Sequence, residues 1–294
     1  MLTVFTPTYN RIRSLPRLYC SLLDQTDTRF EWLVVDDGSD DGTDGLISKW
    51  AVGAPFPIRY IRQENYGKHV AHNRGAREAA GDLFICVDSD DWLEPFAVET
   101  ILSDSAALDA EESLLYPRRS VTQAALDAWF PAGVEKIEFA DMRMKYSLVI
   151  ETAIVFSADV LRRHPFPVVE GENYMPEGSA YYDFRDPELF LVRNTAFYRG
   201  EYLDEGLTKN IWSNWLNNPL GTTLALNKRY AAAKRYTGFI GMRERLAALA
   251  GLESLNMALG KKVFSSCPEK SALAFFALPA AVRLRRKRFG KALS

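Results

Sequence analysis

Residues Phe84 to Pro95 read FICVDSDDWLEP, a short apolar run that delivers Asp88, Ser89, Asp90 and Asp91. Three carboxylates at the end of a buried strand repel one another and are costly to hold ionised without positive charge among them. In an extended chain residues i and i+2 share a face, so Asp88 and Asp90 point the same way. Two convergent carboxylates make a hard-oxygen half-site for a cation such as Mg²⁺, which commonly takes one or two protein carboxylates and fills its shell with water and phosphate. A second acidic group, Asp36-Asp37-Gly38-Ser39, follows the apolar run WLVV, and a third apolar run ends in TPTYN, Thr6 to Asn10. For a lone Asp-x-Asp, helix capping is the plain alternative; the second acidic strand end argues against it. DGSDDG from Asp37 is no EF-hand loop, because its twelfth position is Ser48 rather than a bidentate Glu.

The elements that must carry these groups alternate. LTVF, FEWLVVDD, IRYIRQ and DLFICVD read as strands; SLPRLYCSLLDQ, GTDGLISKW and KHVAHNRGAREAA read as helices, the last stopped by Gly81. That rhythm predicts an α/β fold with an open parallel sheet and helices on both faces. Such sheets bind ligands beyond the carboxyl ends of their strands, where the acidic groups fall. Further strands are expected near Leu114–Tyr116, Val134–Glu138, Leu148–Phe156 and Leu189–Val192, and helices from Ser157, Glu177 and Thr208. From Leu220 onward the pattern is helical, with breaks expected at Gly251, Gly260 and Pro268.

A chain of 294 residues with 47% hydrophobic content forms one large domain or two small ones. From Lys228 onward there are fifteen Lys/Arg against three Glu; the totals of 36 and 38 leave 21 against 35 before it. An acidic body therefore carries a basic tail. Cys20, Cys86 and Cys267 are odd in number and lack metal spacing, which suits a reducing cytosol. The start, MLTVFTPTYNR, has neither the basic residues nor the apolar length of a secretory leader, and ALAFFALPAAV near the end is too short to span a bilayer. The expectation is a soluble or peripheral protein.

FTPTYNR, WLVVDDGSDDGT, ENYGKHVAHNRGAREAAGD and FICVDSDDWLEP, in that order and at their spacings, resemble the family-2 glycosyltransferases of the GT-A fold. The likeness is specific as a set over residues 1–100, thins between about 150 and 215 and ends before the tail. It implies a nucleotide-sugar donor, usually a UDP-sugar, with Pro7, Thr8 and Tyr9 lining the uridine pocket and Asp36 or Asp37 reading the uracil or ribose. Asp88, beside Ser89, would lie near the ribose and metal, and Asp90 would bind Mg²⁺ or Mn²⁺ on the diphosphate. Asp91 would be a second ligand or a helix cap, the cap being preferred. His72 stands before Asn73 where the family commonly has Arg, and Lys68 supplies a cation at the start of that helix, suited to a phosphate or base edge. Ordinary packing or hydrogen bonding is expected of His69 and His72.

Inverting transfer needs a carboxylate to take the acceptor's proton, a role that contributes about 10²–10⁴-fold. The family places an acid at a helix start within the stretch EGENYMPEGSAYYDF, where Glu177 stands after Pro176; Glu172 and Asp183 are the fallbacks. Tyr202 and Asp204 are offered as acceptor or donor-phosphate contacts. The Gln-x-x-Arg-Trp signature of processive synthases is absent, favouring one sugar per encounter. The implied organisation is a donor half over 1–110, an acceptor and catalytic half over 111–227, and a basic helical C-terminal region over 228–294. The acceptor would be a glycan or a lipid-linked hydroxyl in surface polysaccharide assembly. The tail reads first as a contact with anionic lipid at the inner face of the plasma membrane; a solvated helical face is the alternative, and nucleic acid is disfavoured because no binding module accompanies the charge. Rival functions are a sugar-phosphate nucleotidyltransferase, whose glycine-rich opening loop TPTYNR lacks, and a non-catalytic sugar-nucleotide-binding protein.

Overall fold

The computed structural model describes residues 1–120, 129–200, 210–268 and 272–290. Contacts divide the chain into two compact units, one of Met1–Glu138, Leu148–Pro165 and Arg185–Tyr202, the other of Phe139–Ser147, Phe166–Phe184 and Leu203–Ser294.

The first unit is built on one mixed sheet. In chain order its elements are β1 (Leu2–Thr8), α1 (Leu15–Leu23), β2 (Phe30–Asp36), α2 (Thr43–Gly53), β3 (Ile58–Arg62), α3 (Lys68–Glu78), β4 (Leu83–Cys86), β5 (Trp92–Leu93), α4 (Ala97–Asp104), β6 (Ser113–Ser120), β7 (Lys136–Ile137), β8 (Thr152–Ser157), α6 (Ala158–Arg163), β9 (Phe190–Val192) and β10 (Tyr198–Gly200); α5 (Asp141–Met144) belongs to the second unit. The sheet order is β3-β2-β1-β4-β8-β6-β10-β5, with β9 joined to β6 and β7. The β1, β2, β3 and β4 strands are mutually parallel, in register from Leu2 opposite Phe30 and Leu83. β1 and β2 are buried along their whole length, which is why their sequences are near-continuous apolar runs rather than alternating ones. Trp32, Phe5, Phe30 and Phe84 are completely or almost completely covered, each contributing about 1.5–3 kcal/mol by leaving water.

The expected parallel sheet holds across β1 to β4, and beyond them the sheet is mixed. β8 lies antiparallel between β4 and β6, and β5 pairs antiparallel with β10. The sequence reading missed β5 and β10, since strands of two or three residues carry no readable period, and it also missed α4.

The second unit holds α5 and α7 (Gly178–Tyr181), then α8 (Ile211–Asn217), α9 (Pro219–Ala233), α10 (Gly238–Ala258) and α11 (Ala272–Phe289). The expected break at Gly251 does not occur, for α10 runs through it. A Cβ there would lie 3.1 Å from Leu226 Cδ2, so the glycine lets α9 and α10 approach closely. The break falls instead between α9 and α10, before Gly238 with φ +72°. Leu226, Tyr230, Leu249, Leu252, Ala277 and Ala281 form the core of this bundle. Buried Glu244 is held by Arg229 at 2.5 Å and Arg243 at 3.1 Å. Among the described residues no helix is long and apolar enough to cross a membrane.

Candidate active site

The loops leaving β1 and β2 are tied together by their own acids. Asn10, at φ +53°, donates its backbone N–H to Ser39 Oγ (2.8 Å), and its Oδ1 accepts from the Asp40 N–H at 3.0 Å. Asp41 accepts from the N–H of Ile12 (2.9 Å) and from the Thr43 hydroxyl (2.6 Å). Asp36 is fully buried; it accepts from the Ser39 N–H at 2.8 Å and from the Tyr60 hydroxyl at 2.5 Å. Burial, together with that bond to Asp36, pushes the Tyr60 phenol well above its usual range. Asp37 accepts from Gln63 Nε2 (2.8 Å) and from the N–H groups of Tyr66 (3.0 Å) and Gly67 (2.7 Å). Both acids thus hold the turns beyond β2 and the entry to α3. An open depression of about 610 Å³, lined by Gly38, Arg62, Gln63, Glu64 and Asn65, lies beside them.

Pro7 and Thr8 are buried at the end of β1, whereas Tyr9 is exposed. The Thr8 hydroxyl is covered and has no hydrogen-bond partner among the described residues.

Beyond β4 the three aspartates converge. One carboxylate oxygen from each of Asp88, Asp90 and Asp91 lies within 4.8 Å of the others. Lys68, the first residue of α3, places its Nζ 2.6 Å from Asp88 Oδ1. Burial opposes ionisation of Asp88, but the Lys68 ammonium outweighs it and holds the carboxyl below its ordinary value. Ser89 is buried between them in sequence. Asp90 fixes the turn through its main chain, its carbonyl accepting from Arg17 Nη2 at 2.5 Å, while that guanidinium lies 4.1 Å from the Trp92 ring centre.

Asp91 does not cap a helix, contrary to the preferred reading. It is 2% exposed and binds sideways, to Arg118 Nη2 at 3.0 Å and to the Tyr198 hydroxyl at 2.8 Å. The Tyr198 oxygen in turn accepts from the Asp88 N–H at 3.0 Å, so one phenol ties two of the three aspartates. Arg118 also reaches Glu151 at 2.9 Å. Burial pushes the Asp91 carboxyl up to about 7; Arg118 draws it down and Asp88 pushes it up again. Sequence reasoning missed Arg118, Tyr198 and Arg17 because β6, β10 and α1, which carry them, lie far from β4 in the chain. In the folded chain Gly200 leaves room for that guanidinium: a Cβ there would stand 2.0 Å from Arg118 Nη2.

Three hard carboxylate donors this close, in a cluster whose burial raises one of them, suit a divalent cation such as Mg²⁺ or Mn²⁺. The donor set fits such an ion and has no soft or nitrogen ligand to favour another.

His69 and His72 are buried on α3. His72 makes edge contacts with Phe5 and Phe84 at 5.6 and 5.4 Å between ring centres, and burial, helped by Lys68, lowers it to about 3.

In the second unit Glu177 is exposed and immediately precedes α7, its carbonyl accepting from the N–H of Tyr181 at 3.0 Å. Both oxygens of Glu172 cap α9, accepting from the N–H groups of Leu220 and Gly221 at 2.7 Å each. Asp183 is paired with Lys228. Tyr202, Asp204 and Thr208 lie outside the described residues.

A family model described as "Glycosyl transferase family 2" matches residues 3–149, half of the chain and the whole aspartate site. The chain belongs to glycosyltransferase family 2. Glycosyltransferase GlyA of Streptococcus pneumoniae is 40% identical over 100 residues, which are 34% of this chain and 14% of GlyA. The chain thus spans a small part of the length of that curated relative. The fold is matched more widely. S. aureus TarS 1–349 in complex with UDP-GlcNAc gives a TM-score of 0.55 at 18% identity, covering 99% of this chain and 91% of that one. A mannosyltransferase of Pyrobaculum calidifontis in complex with GDP-Man and Mn²⁺ gives 0.54 at 18% identity, covering 99% and 82%. This family-2 chain therefore has the expected GT-A fold, with a helical C-terminal region.

Proposed function

We propose that this family-2 chain is an inverting, metal-dependent hexosyltransferase that moves a sugar from a UDP-sugar to a hydroxyl of a glycan or lipid-linked acceptor in surface polysaccharide assembly. The observation that carries the reading is the convergence of Asp88, Asp90 and Asp91 beyond β4 in a chain of this family. Asp90 and Asp88 would hold Mg²⁺ or Mn²⁺, whose charge, when bound, offsets that developing on the departing diphosphate. Lys68 adds a fixed positive charge beside Asp88. Pro7, Thr8 and Tyr9 serve the uridine, and the covered Thr8 hydroxyl supports this because it lacks a protein partner among the described residues. Asp36, Asp37 and Ser89 serve the nucleoside side, the first two also holding the loops that border it.

Glu177 is the proposed base. It takes the acceptor hydroxyl's proton as that oxygen bonds to the anomeric carbon and the bond to the diphosphate oxygen breaks; attack from the opposite side inverts the centre. Glu177 is favoured because it is exposed and immediately precedes α7, the helix start where an acid is expected. In this reading residues 1–110 serve the donor, 111–227 the acceptor, and 228–294 a peripheral contact at the inner face of the plasma membrane, from the cytoplasm.

The test is thermal-shift screening of the chain with nucleoside diphosphates and their sugars, with and without Mn²⁺, since a ligand at a hundred times its Kd adds about 2.7 kcal/mol. A rise with UDP that needs the metal, abolished in Asp90→Asn, is the expected result; a UDP rise equal in EDTA refutes the metal role. Glu177→Gln should keep the shift and lose about 10²–10⁴-fold in transfer; near-normal turnover removes Glu177 from this role.

A further inference from the structure

The outward face of α11 is divided along its length. Ala274, Ala277 and Ala281 are buried and join the bundle core, so they define the inner side of the helix. On the opposite side residues recur at spacings of three and four, the periodicity that keeps side chains on one face. Over the first half that face is apolar: Phe275 and Phe276 are 65% and 75% exposed, and exposed Val282 lies where the apolar part meets the basic one. Over the second half it is basic, through exposed Arg283, Arg286 and Lys287. The helix contains no acidic residue. Phe276 and Arg283 are two helical turns apart, about 10 Å along the axis.

Phe275 leans on Phe264, ring centres 4.8 Å apart, yet leaves most of its surface in water, as does Phe276; adjacent exposed phenyl rings are an unfavourable arrangement for a surface helix, and isolated basic patches are usually solvated faces. Their sequence along one face, greasy and then cationic, has a natural complement in a surface that is itself layered on that scale. A bilayer places an acyl boundary about 5–10 Å below its headgroups, and anionic headgroups attract Lys and Arg. We propose that α11 docks obliquely on an anionic bilayer, with Phe275 and Phe276 in the acyl boundary and Arg283, Arg286 and Lys287 at the lipid phosphates. This gives the peripheral contact proposed above a definite surface and rests on that part of the reading; sugar transfer does not depend on it.

The test is co-sedimentation of the full chain with vesicles of phosphatidylcholine alone or with 30% phosphatidylglycerol, at low and high salt, with transfer to a soluble acceptor measured in parallel. Binding should require the anionic lipid and weaken with salt. Each basic residue changed to Gln should lower partitioning about fivefold, so Arg283→Gln with Lys287→Gln costs about 25-fold. Phe275→Ser with Phe276→Ser should lower it at least tenfold at unchanged melting temperature and helical circular dichroism. No binding to anionic vesicles, equal binding to neutral ones, or undiminished binding by both variants overturns the proposal. So does an outcome in which the aromatic variant only converts a dimer to a monomer, or the basic variant only loses RNA. Loss of vesicle binding with soluble transfer intact leaves the transferase reading standing; loss of transfer with vesicle binding intact does the reverse.

Discussion

Replacing Arg118 by Met tests how the aspartate cluster is held. The guanidinium is the cation closest to Asp91, 3.0 Å away, and Asp91 is almost wholly covered. Stripping one partner from a buried ion pair costs about 3–5 kcal/mol when the remaining charge cannot escape. Here it can. The Asp91 carboxyl already stands at about 7, raised by burial and restrained by Arg118. Without the guanidinium it moves higher, and at pH 7 the folded variant takes up a proton instead of keeping a stranded charge. The loss at pH 7 is then near that of a charge-assisted hydrogen bond, about 1.5–3 kcal/mol. The sign of the pH dependence follows. An Asp whose folded value lies above its unfolded value contributes stability present at low pH and lost as pH rises towards the folded value. Above pH 7 the wild type is already ionised, whereas the variant still binds a proton that its unfolded chain does not. The gap between them must widen by up to about 1.4 kcal/mol per pH unit above 7 until the variant's own carboxyl ionises. Thermal melts in EDTA at pH 5, 7 and 9 measure it. Arg118→Lys should keep part of the stability, and adding Asp91→Asn to Arg118→Met should abolish the widening. A gap independent of pH, or widening that survives Asp91→Asn, refutes the argument.

Gly200→Ala should resemble Arg118→Met in its melting temperature at pH 7, because the new Cβ would stand 2.0 Å from Arg118 Nη2 and drive the guanidinium off Asp91; an unchanged melt would show that Arg118 adjusts without losing its partner. Buried His72, lowered to about 3, stays neutral while its unfolded counterpart protonates below 6.5, so from pH 6.5 to 4 it should cost about 3 kcal/mol of stability. His72→Gln should flatten that acid limb in chemical denaturation, and parallel curves would count against it. Glu172→Ala removes the acceptor of two N–H groups at the start of α9 and should lower stability by about 0.5–2 kcal/mol; loss of transfer without loss of stability would instead make Glu172 the base.

The part of the fold that was legible in the sequence is the part governed by local rules. Buried parallel strands write themselves as LTVF, WLVV and LFIC, and the intervening helices by their spacing, so β1, β2 and β4 and their carboxyl ends could be placed from the pattern alone. The antiparallel insertion of β8, and the pairing of β5 with β10, were not legible. They depend on partners about seventy to over a hundred residues away and on strands as short as Trp92–Leu93. Gly251 misled for a related reason: it reads as a helix break, yet its lack of a side chain serves the close packing of α9 on α10.

The acidic residues show where pattern stops being enough. The acids at the ends of β2 and β4 include Asp36, Asp37, Asp41, Asp88, Asp90 and Asp91. In sequence they look alike, but their neighbours differ in kind. Asp36, Asp37 and Asp41 are surrounded by backbone N–H groups and hydroxyls, neutral donors supplied by the loops they hold. Asp91 faces an arginine and a phenol, and Asp88 faces a lysine. Neutral donors satisfy a carboxylate without cancelling its charge, so the first set also holds the loops beyond β2, which replacement by Asn should loosen. Among the described residues the second set gathers three carboxylates against Lys68 on Asp88 and Arg118 on Asp91, an excess of negative charge of the kind a further cation would offset. That difference in charge, not the Asp-x-Asp spacing, is what separates a metal half-site from an acidic turn, and it becomes readable only when Lys68, Arg118 and Tyr198 are brought to it by the sheet.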